Sequence, residues 1–512
     1  MRVQARLFAG TLAGALLLGA CGTGGGEPDA HGAKARTPGT PRAGALPSAP
    51  PARQAPAPGK GSKDPDDLNG DGRTDLSLVL PAGKPKATAF PPTRFATLYG
   101  AKATAFPPTR FATLYGGAHG PDPATRTALG REALGLRAGG GRDEPPGAVP
   151  ADLVTADLDG DGFPDVVSTD TYRENAERGL STGDFANQRG VPFVTWGGPA
   201  GPRGAAKALR TDPALSVSGV RRGDFDGDGH PDLAVYGDDA SLLHGVVAIL
   251  YGPFTRDGSF ARTERITLDD GVGGLAVAPL DPGGAHTPTP LFVHDQDDGE
   301  QTAGTLYRGG PGKALFAGGG ERTRKGNAYT FGDFDGDGVW DLATGDDGSR
   351  NDEPGHGTEA PGTEGSYAIH PGEGPTTTHR LPKNGTGVSA TLRTFLAADP
   401  DGDGKDALLL DAPDGPVLAD PVSGEPRPVA RRSGPADHDG KKIRKDDRGA
   451  RPLAARDLDG DGKDEILFGW GSGTAGGGNR GYVYLWVVRP GDDTDMTAFT
   501  ALGVTAAGSA GE

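Results

Sequence analysis

From residue 63 onward the chain alternates short apolar runs with clusters of Gly, Pro and Asp. One run precedes each acidic cluster, as in Asp152-Leu-Val-Thr-Ala156. Another follows it, as in Leu233-Ala-Val-Tyr236 or Ile466-Leu-Phe468. A third ends near a glycine turn or an aromatic: Phe193-Val-Thr-Trp-Gly-Gly198, Val247-Ala-Ile-Leu-Tyr-Gly252 and Tyr482-Val-Tyr-Leu-Trp486. Short runs rich in β-branched and aromatic residues between turn formers are strands. No helical period is sustained beyond the N-terminal segment, so the pattern predicts an all-β chain.

Six of the acidic clusters share one nine-residue form, beginning at residues 67, 157, 224, 333, 399 and 457. Oxygen side chains stand at positions 1, 3 and 5: Asp67, Asn69, Asp71; Asp157, Asp159, Asp161; Asp224, Asp226, Asp228; Asp333, Asp335, Asp337; Asp399, Asp401, Asp403; and Asp457, Asp459, Asp461. Glycine fills position 6, where a sharp turn must aim those oxygens inward. Position 7 (Arg73, Phe163, His230, Val339, Lys405, Lys463) would offer only its carbonyl. Position 9 is acidic in Asp75, Asp165, Asp232, Asp341 and Glu465, whereas the Asp399 loop has Ala407 there and Asp406 one place early. Calcium takes about six to eight oxygens, and alternating carboxylates with one carbonyl suit it. An EF-hand would need a carboxylate at position 12 and flanking helices. Position 12 is Leu78, Ser168, Val235, Thr344, Leu410 or Phe468. The expectation is therefore about five or six calcium ions acting as structural staples between strands, Asn69 weakening the first site and Ala407 the fifth.

The interval between the loops at 224 and 333 is about twice the shorter ones, and Gly274-Leu-Ala-Val-Ala-Pro-Leu-Asp281-Pro-Gly-Gly falls inside it, with Leu291-Phe-Val as the following strand. This degenerate copy brings the count to seven units. The long first interval has another source: Lys86 to Gly100 recurs unchanged at Lys102 to Gly116, so one copy is expected to pack as a strand and the other to be surplus. Seven units of three or four strands suggest the blades of a propeller. The segment before Asp67 is a poor strand, so Thr497 to Val504 is expected to complete a blade with the N-terminus, and loss of residues 495–512 to destabilise the domain.

Strand, Asp-x-Asp-Gly-Asp-Gly-x-x-Asp, strand, then a hydrophobic-Tyr/Trp-Gly turn resembles the FG-GAP repeat of integrin α-subunits and of bacterial proteins with FG-GAP or VCBS repeats. Phe331-Gly-Asp333-Phe-Asp335-Gly-Asp337-Gly-Val-Trp-Asp341-Leu-Ala-Thr-Gly345 is the best copy, and the likeness covers about 63–512. It implies a seven-bladed β-propeller with calcium in the loops. The family's later Gly-Ala-Pro element is mostly replaced, by Tyr236-Gly-Asp-Asp and Thr344-Gly-Asp-Asp. That departure weakens transfer of the family's ligand face.

Composition refines this picture. The 512 residues include 89 Gly and 46 Pro, and the net charge is −17. Six divalent ions would add twelve positive charges, bringing it to −5, so the acidity is mostly metal chemistry and nucleic acid is not an expected partner. Arg2 and Arg6 followed by the apolar stretch Leu7 to Leu18 form an export signal too short to span a membrane. Leu18-Gly-Ala-Cys21 resembles a bacterial lipobox, making Cys21, the one cysteine, a lipidation site. Residues 1–20 are then a signal peptide, 21–62 a Gly/Pro/Ala-rich tether and 63–512 the propeller, with the protein held at the outer face of the bacterial membrane by its lipid alone.

Long turns between second and third strands should share the face opposite the loops. Their paired acids Asp238-Asp239, Asp297-Asp298 and Asp346-Asp347 are the candidate ligand rim, suited to a cationic or polar partner. Arg222-Gly-Asp224 spells an adhesive tripeptide, but Asp224 belongs to a loop. No Gly-x-Ser-x-Gly, His-Glu-x-x-His or P-loop pattern is present, and the expectation is a non-catalytic binding module for a protein or envelope polymer. The first alternative is a lectin-like glycan binder, for which Trp196, Trp340, Trp470 and Trp486 are few as aromatic platforms for seven pockets; a second is a propeller-fold hydrolase using acids of the rim loops.

Overall fold

A computed structural model describes residues 46–83, 109–136, 149–150, 152–173, 188–239, 244–269, 271–280, 288–296, 300–349, 363–381, 395–412, 415–421, 426–471, 482–490 and 494–505. Seven antiparallel sheets follow one another along the chain, each built as a meander. Blade 1 comprises Leu76–Pro81, Thr109–Gly117 and Gly120–Leu129. Blade 2 comprises Leu153–Ala156, Asp165–Arg173, Gln188–Thr195 and Lys207–Ala208. Blade 3 comprises Ser216–Gly223, Asp232–Asp238, Gly245–Tyr251 and Arg262–Leu268. Blade 4 is Val272–Val277, Leu291–Asp295, Gly304–Tyr307 and Glu321–Arg322; blade 5 is Ala328–Gly332, Asp341–Gly345, Ser366–His370 and Thr377–Arg380. Blade 6 is Phe395–Ala398, Ala407–Ala412, Gly415–Ala419 and Pro426–Pro428. Blade 7 is Arg451–Arg456, Glu465–Trp470, Tyr484–Arg489 and Thr494–Thr500. A small hairpin, Asp437–His438 with Lys441–Lys442, stands between the last two.

Seven buried clusters each join two successive blades. Leu158, Val194 and Trp196 of blade 2 meet Val217, Val235 and Leu250 of blade 3. Tyr251 and Ile249 meet Leu275 and Val293 across blades 3 and 4, and Phe292 meets Phe331 and Leu342 across blades 4 and 5. The same relation holds for blades 5 and 6, 6 and 7, and 1 and 2. Finally Leu467, Leu485 and Phe499 of blade 7 pack with Leu76, Leu80 and Leu114 of blade 1. The chain is thus an all-β, seven-bladed propeller, closed by side-chain packing between its last and first blades.

Closure differs from the sequence expectation in one respect. Thr494–Thr500 is the outer strand of blade 7 itself, registered on Tyr484–Arg489. The following short helix, Ala501–Thr505, leans on blade 1, with Thr505 Oγ1 donating to the carbonyl of Pro81. Blade 1 has three strands among the described residues, because Pro65 and two acids stand where other blades have an inner strand. Ionic contacts take over: Arg222 of blade 3 and Arg456 of blade 7 both pair with Asp66, and Arg456 also reaches Asp64. Arg222 donates further to Thr155 of blade 2. The Arg222-Gly-Asp224 tripeptide is therefore internal, its arginine committed to this cluster.

The second repeat copy supplies Thr109–Gly117 of blade 1; the first lies outside the described residues, as do Cys21 and the export signal. Among the described residues no helix is long and apolar enough to cross a membrane.

Candidate metal centre and the opposite face

Each acidic segment connects the first and second strands of its blade, apart from blade 1, so the loops share one face. The glycines at position 6 all have φ between 80° and 88° (Gly72, Gly162, Gly229, Gly338, Gly404 and Gly462), a left-handed conformation that other residues adopt at a cost. Their amides turn back onto position 1: Gly229 N donates to Asp224 Oδ2 at 3.0 Å and Gly338 N to Asp333 Oδ2 at 2.9 Å. Position 5 accepts from the amide of position 7, as Asp228 does from His230 and Asp461 from Lys463. The loop is thereby wound with its oxygens converging.

Position 9 anchors the loop to its blade. One oxygen of Asp165, Asp232, Asp341 or Glu465 accepts the position-2 amide (Leu158, Phe225, Phe334, Leu458), as Asp75 does from Leu68. The other oxygen of each aspartate accepts a glycine amide from the third-strand turn: Gly116, Gly197, Gly252 or Gly372. The position-2 side chains are buried in the inter-blade clusters. Burial raises the position-9 acids to about 7 for Asp75, 8 for Asp165 and Asp232, 6 for Asp341 and 7 for Glu465, with neighbouring loop carboxylates adding to the shift. Burial and like charge both disfavour the ionised form of these acids, and a bound cation would favour it.

Five of the loops can hold a metal ion. Carboxylate oxygens lie within 4.8 Å of one another in Asp157/Asp159/Asp165, Asp224/Asp226/Asp232, Asp333/Asp335/Asp341, Asp399/Asp401/Asp403 and Asp457/Asp459/Glu465. Two oxygens test the fit directly. Asp159 Oδ1 and Asp226 Oδ1 are buried without any hydrogen-bond partner, a costly state for a carboxylate oxygen. A hard cation supplied with oxygens from positions 1, 3 and 9 and the position-7 carbonyl would satisfy them. In the first loop Asn69 replaces a carboxylate and its Nδ2 donates to Asp71 at 3.2 Å.

The Asp399 loop is built differently. Its triad uses positions 1, 3 and 5, because Ala407 is buried at position 9. Asp406 does not substitute for it: its carboxylate faces blade 5, where Oδ2 accepts from Asp333 N at 2.7 Å while its own amide donates to Asp333 O. Asp464 of blade 7 makes the same reciprocal pair with Asp399, and Thr289 of blade 4 with Asp224. These latches between loops of successive blades were not read from the sequence. Position 8 carries Asp in two copies, which was the available signal. Thr289 keeps the latch in the blade whose acidic loop has degenerated.

On the opposite face, a cavity of about 390 Å³ opens between blades 3 and 4, lined by Ser218, Tyr236, Gly237, Asp238, Val272, Gly273 and Gln296. These positions are the strand ends remote from the loops. Asp238 is exposed, with its carboxylate raised by partial burial and by Asp239 beside it. Asp346 points inward: its two oxygens accept from Gly348 N and Gly365 N, so it shapes its own turn. Asp347 is occupied by Gln301 and Ser349. Asp297 and Asp298 lie outside the described residues.

No protein-family model matches the chain, and no curated protein matches it. Among solved structures it is similar to BBS1N in complex with ARL6DN (11% identity, 69% of this chain and 82% of that one, TM-score 0.36). It is similar also to the Dos1 propeller (11%, 70% and 71%, 0.32). A third is an Agrocybe aegerita lectin described as recognising non-reducing terminal N-acetylglucosamine (14%, 72% and 83%, 0.34). Likenesses of this size carry no argument about ligand or activity.

Proposed function

We propose that this protein is a calcium-stabilised, non-catalytic binding module displayed at the bacterial surface. The observation that carries the calcium reading is the pair of buried, partnerless oxygens of Asp159 and Asp226, each set within a carboxylate triad. Oxygen-only donors with flexible loop geometry favour calcium over softer metals. Extracellular modules of this kind bind at about 10⁻⁴–10⁻³ M, so the ions act as staples at ambient concentrations. Loops tied into their strands by position 9, and in blades 3, 5 and 6 latched to the next blade, would hold the ions as parts of the framework, which suits a stabilising role more than Lewis-acid chemistry.

Binding falls to the other face. The cavity between blades 3 and 4 offers a hydroxyl, an amide, an aromatic ring and a carboxylate, a set suited to a polar ligand such as an envelope polymer or an exposed protein segment. Residues 46–62, expected from the sequence to belong to the tether, instead lie against the propeller, where Arg53 N donates to Ala124 O, Gly59 N to Asn69 O and Ser62 N to Gly162 O. Lipidation at Cys21 would therefore leave at most residues 21–45 as a tether, a reach of roughly 25–30 Å from the scaling of a flexible chain. The test is an array of glycans, envelope polymers and surface proteins probed with the full-length chain, with calcium and with chelator. Saturable binding lost in Y236A and D238N, both still folded, supports the reading. Binding unaffected by both variants would place the ligand site elsewhere, and no saturable ligand at all would leave a spacer in its place.

A further inference from the structure

The position-3 carboxylates of the loops are not equivalent, and arginines make the difference. In blade 2, Arg256 donates through Nε to Asp159 Oδ2 at 2.5 Å and through a terminal nitrogen to Asp161 Oδ2 at 2.8 Å. This arginine belongs to the third-to-fourth-strand turn of blade 3, so it crosses the blade boundary, and its Cζ lies 5.8 Å from the Trp196 ring centroid of blade 2. In blade 3, Arg262 donates to Asp226 Oδ2 at 2.6 Å while its guanidinium sits 3.4 Å over the Tyr251 ring. In blade 7, Arg489 donates to Asp459 Oδ2 at 2.5 Å and approaches Glu465 at 3.7 Å. Blade 6 has only a long contact, Arg427 to Asp401 at 3.4 Å, between two exposed side chains. Among the described residues Asp335 of blade 5 has no arginine, and it is exposed.

Resting on the calcium reading above, we infer that Arg256, Arg262 and Arg489 are positioning residues for the metal: each takes the outer oxygen of a position-3 carboxylate and thereby fixes the inner oxygen toward the ion. The two carboxylates whose inner oxygen is buried and partnerless, Asp159 and Asp226, are both held this way. A free carboxylate in that place would rotate to water and would have to be reoriented on binding. A planar guanidinium, itself fixed by an aromatic face or by a second carboxylate, removes that rotation beforehand. Its positive charge opposes the incoming cation, but in blade 2 Asp161 shares the same guanidinium and offsets it. Blades 2, 3 and 5 have aspartate at all four ligand positions. They should nevertheless differ in affinity, blade 5 being the weakest of the three.

The experiment is calorimetric titration of calcium chloride into the full-length chain and into R256Q, R256K, R489Q and R427Q. Arg256 lies on an exposed turn, so its variants should fold, which circular dichroism checks. In R256Q and R489Q one site should weaken by roughly 10- to 100-fold while the others keep their affinity. R256K, which keeps the charge but not the fork, should recover only part of the loss, and R427Q should change nothing. Unaltered or tighter binding in R256Q and R489Q would overturn the inference, as would an equal loss in R427Q, since a general charge effect would then suffice. An unaltered chain that takes up no calcium would sink the calcium reading itself, a result distinct from normal uptake with indifferent arginine variants.

Discussion

The loops of blades 5 and 6 look alike in sequence and are held by different means. In blade 5, Asp341 collects two backbone amides, those of Phe334 and Gly372, and joins the carboxylate triad with Asp333 and Asp335. In blade 6 that position is Ala407, and position 2 is Pro400, which has no N–H to donate. Donor and acceptor are missing together, so neither is left unsatisfied. Both loops share the latch from the next blade, Asp464 accepting the Asp399 amide and Asp406 the Asp333 amide, so the difference lies in position 9 and its position-2 partner. The comparison teaches that position 9 is a structural hub as much as a candidate metal ligand, and that a loop can lose it when its amide partner goes too.

The largest expected effect concerns the hubs taken together. Burial raises Asp75, Asp165, Asp232, Asp341 and Glu465 to about 7, 8, 8, 6 and 7 from ordinary values of 3.8 and 4.5. In chelator the folded state then binds more protons than the unfolded state between about pH 4 and pH 8. Stability from these groups is complete below pH 4 and is lost as pH rises through 6 to 8. Calcium, which binds the deprotonated form, should restore it most at the upper end. Urea unfolding at pH 5.5 and 8.0 in chelator checks this, and a metal-free protein more stable at pH 8.0 would contradict it.

Next comes D341A, which leaves the buried Phe334 amide and the half-buried Gly372 amide without acceptors and should cost about 2–3 kcal/mol, at about 1–3 kcal/mol for a fully buried orphan. Blade 6 supplies the reverse experiment. A407D alone should destabilise by about 1–3 kcal/mol, because the new carboxylate finds no amide at Pro400. The double variant P400L/A407D should recover much of that loss and bind calcium more tightly at this loop; a double-mutant cycle measures the coupling. Gain of stability from A407D alone would break the comparison. D406A, which removes the latch onto Asp333, should cost about 1–2 kcal/mol, with D406N milder because an amide oxygen still accepts. The smallest effect belongs to N69D, which should tighten the first loop's calcium binding severalfold with little change in metal-free stability.

Much of this was legible in the sequence because period-2 apolar runs and left-handed Gly positions are local properties. Gly229 and Gly338 are needed for reasons contained within nine residues, and even the degenerate fourth unit declared itself through spacing and the run at Leu291. What escaped was the contact between units. Arg256 is 97 residues from Asp159, and nothing in its surroundings marks it as a partner of another blade's loop. Asp406 read as a displaced ligand because, along the chain, one place early looks like an error. In space position 8 faces the preceding blade. Asp346 likewise read as rim because Asp-Asp looks solvent-directed, whereas its oxygens hold the amides of Gly348 and Gly365. The closure through Arg222, Arg456 and Asp66 joins three distant stretches and has no local signature.

The most direct measurement is the number of calcium ions taken up by the full-length chain at equilibrium, read alongside its melting temperature with calcium at about 10 mM and with chelator. Five or six ions, with sites near the 10⁻⁴–10⁻³ M range, should add about 1–3 kcal/mol each at that concentration and raise the melting temperature clearly. Uptake of one ion or none, with the same melting temperature in chelator, would contradict the claim that metal-filled loops staple the propeller.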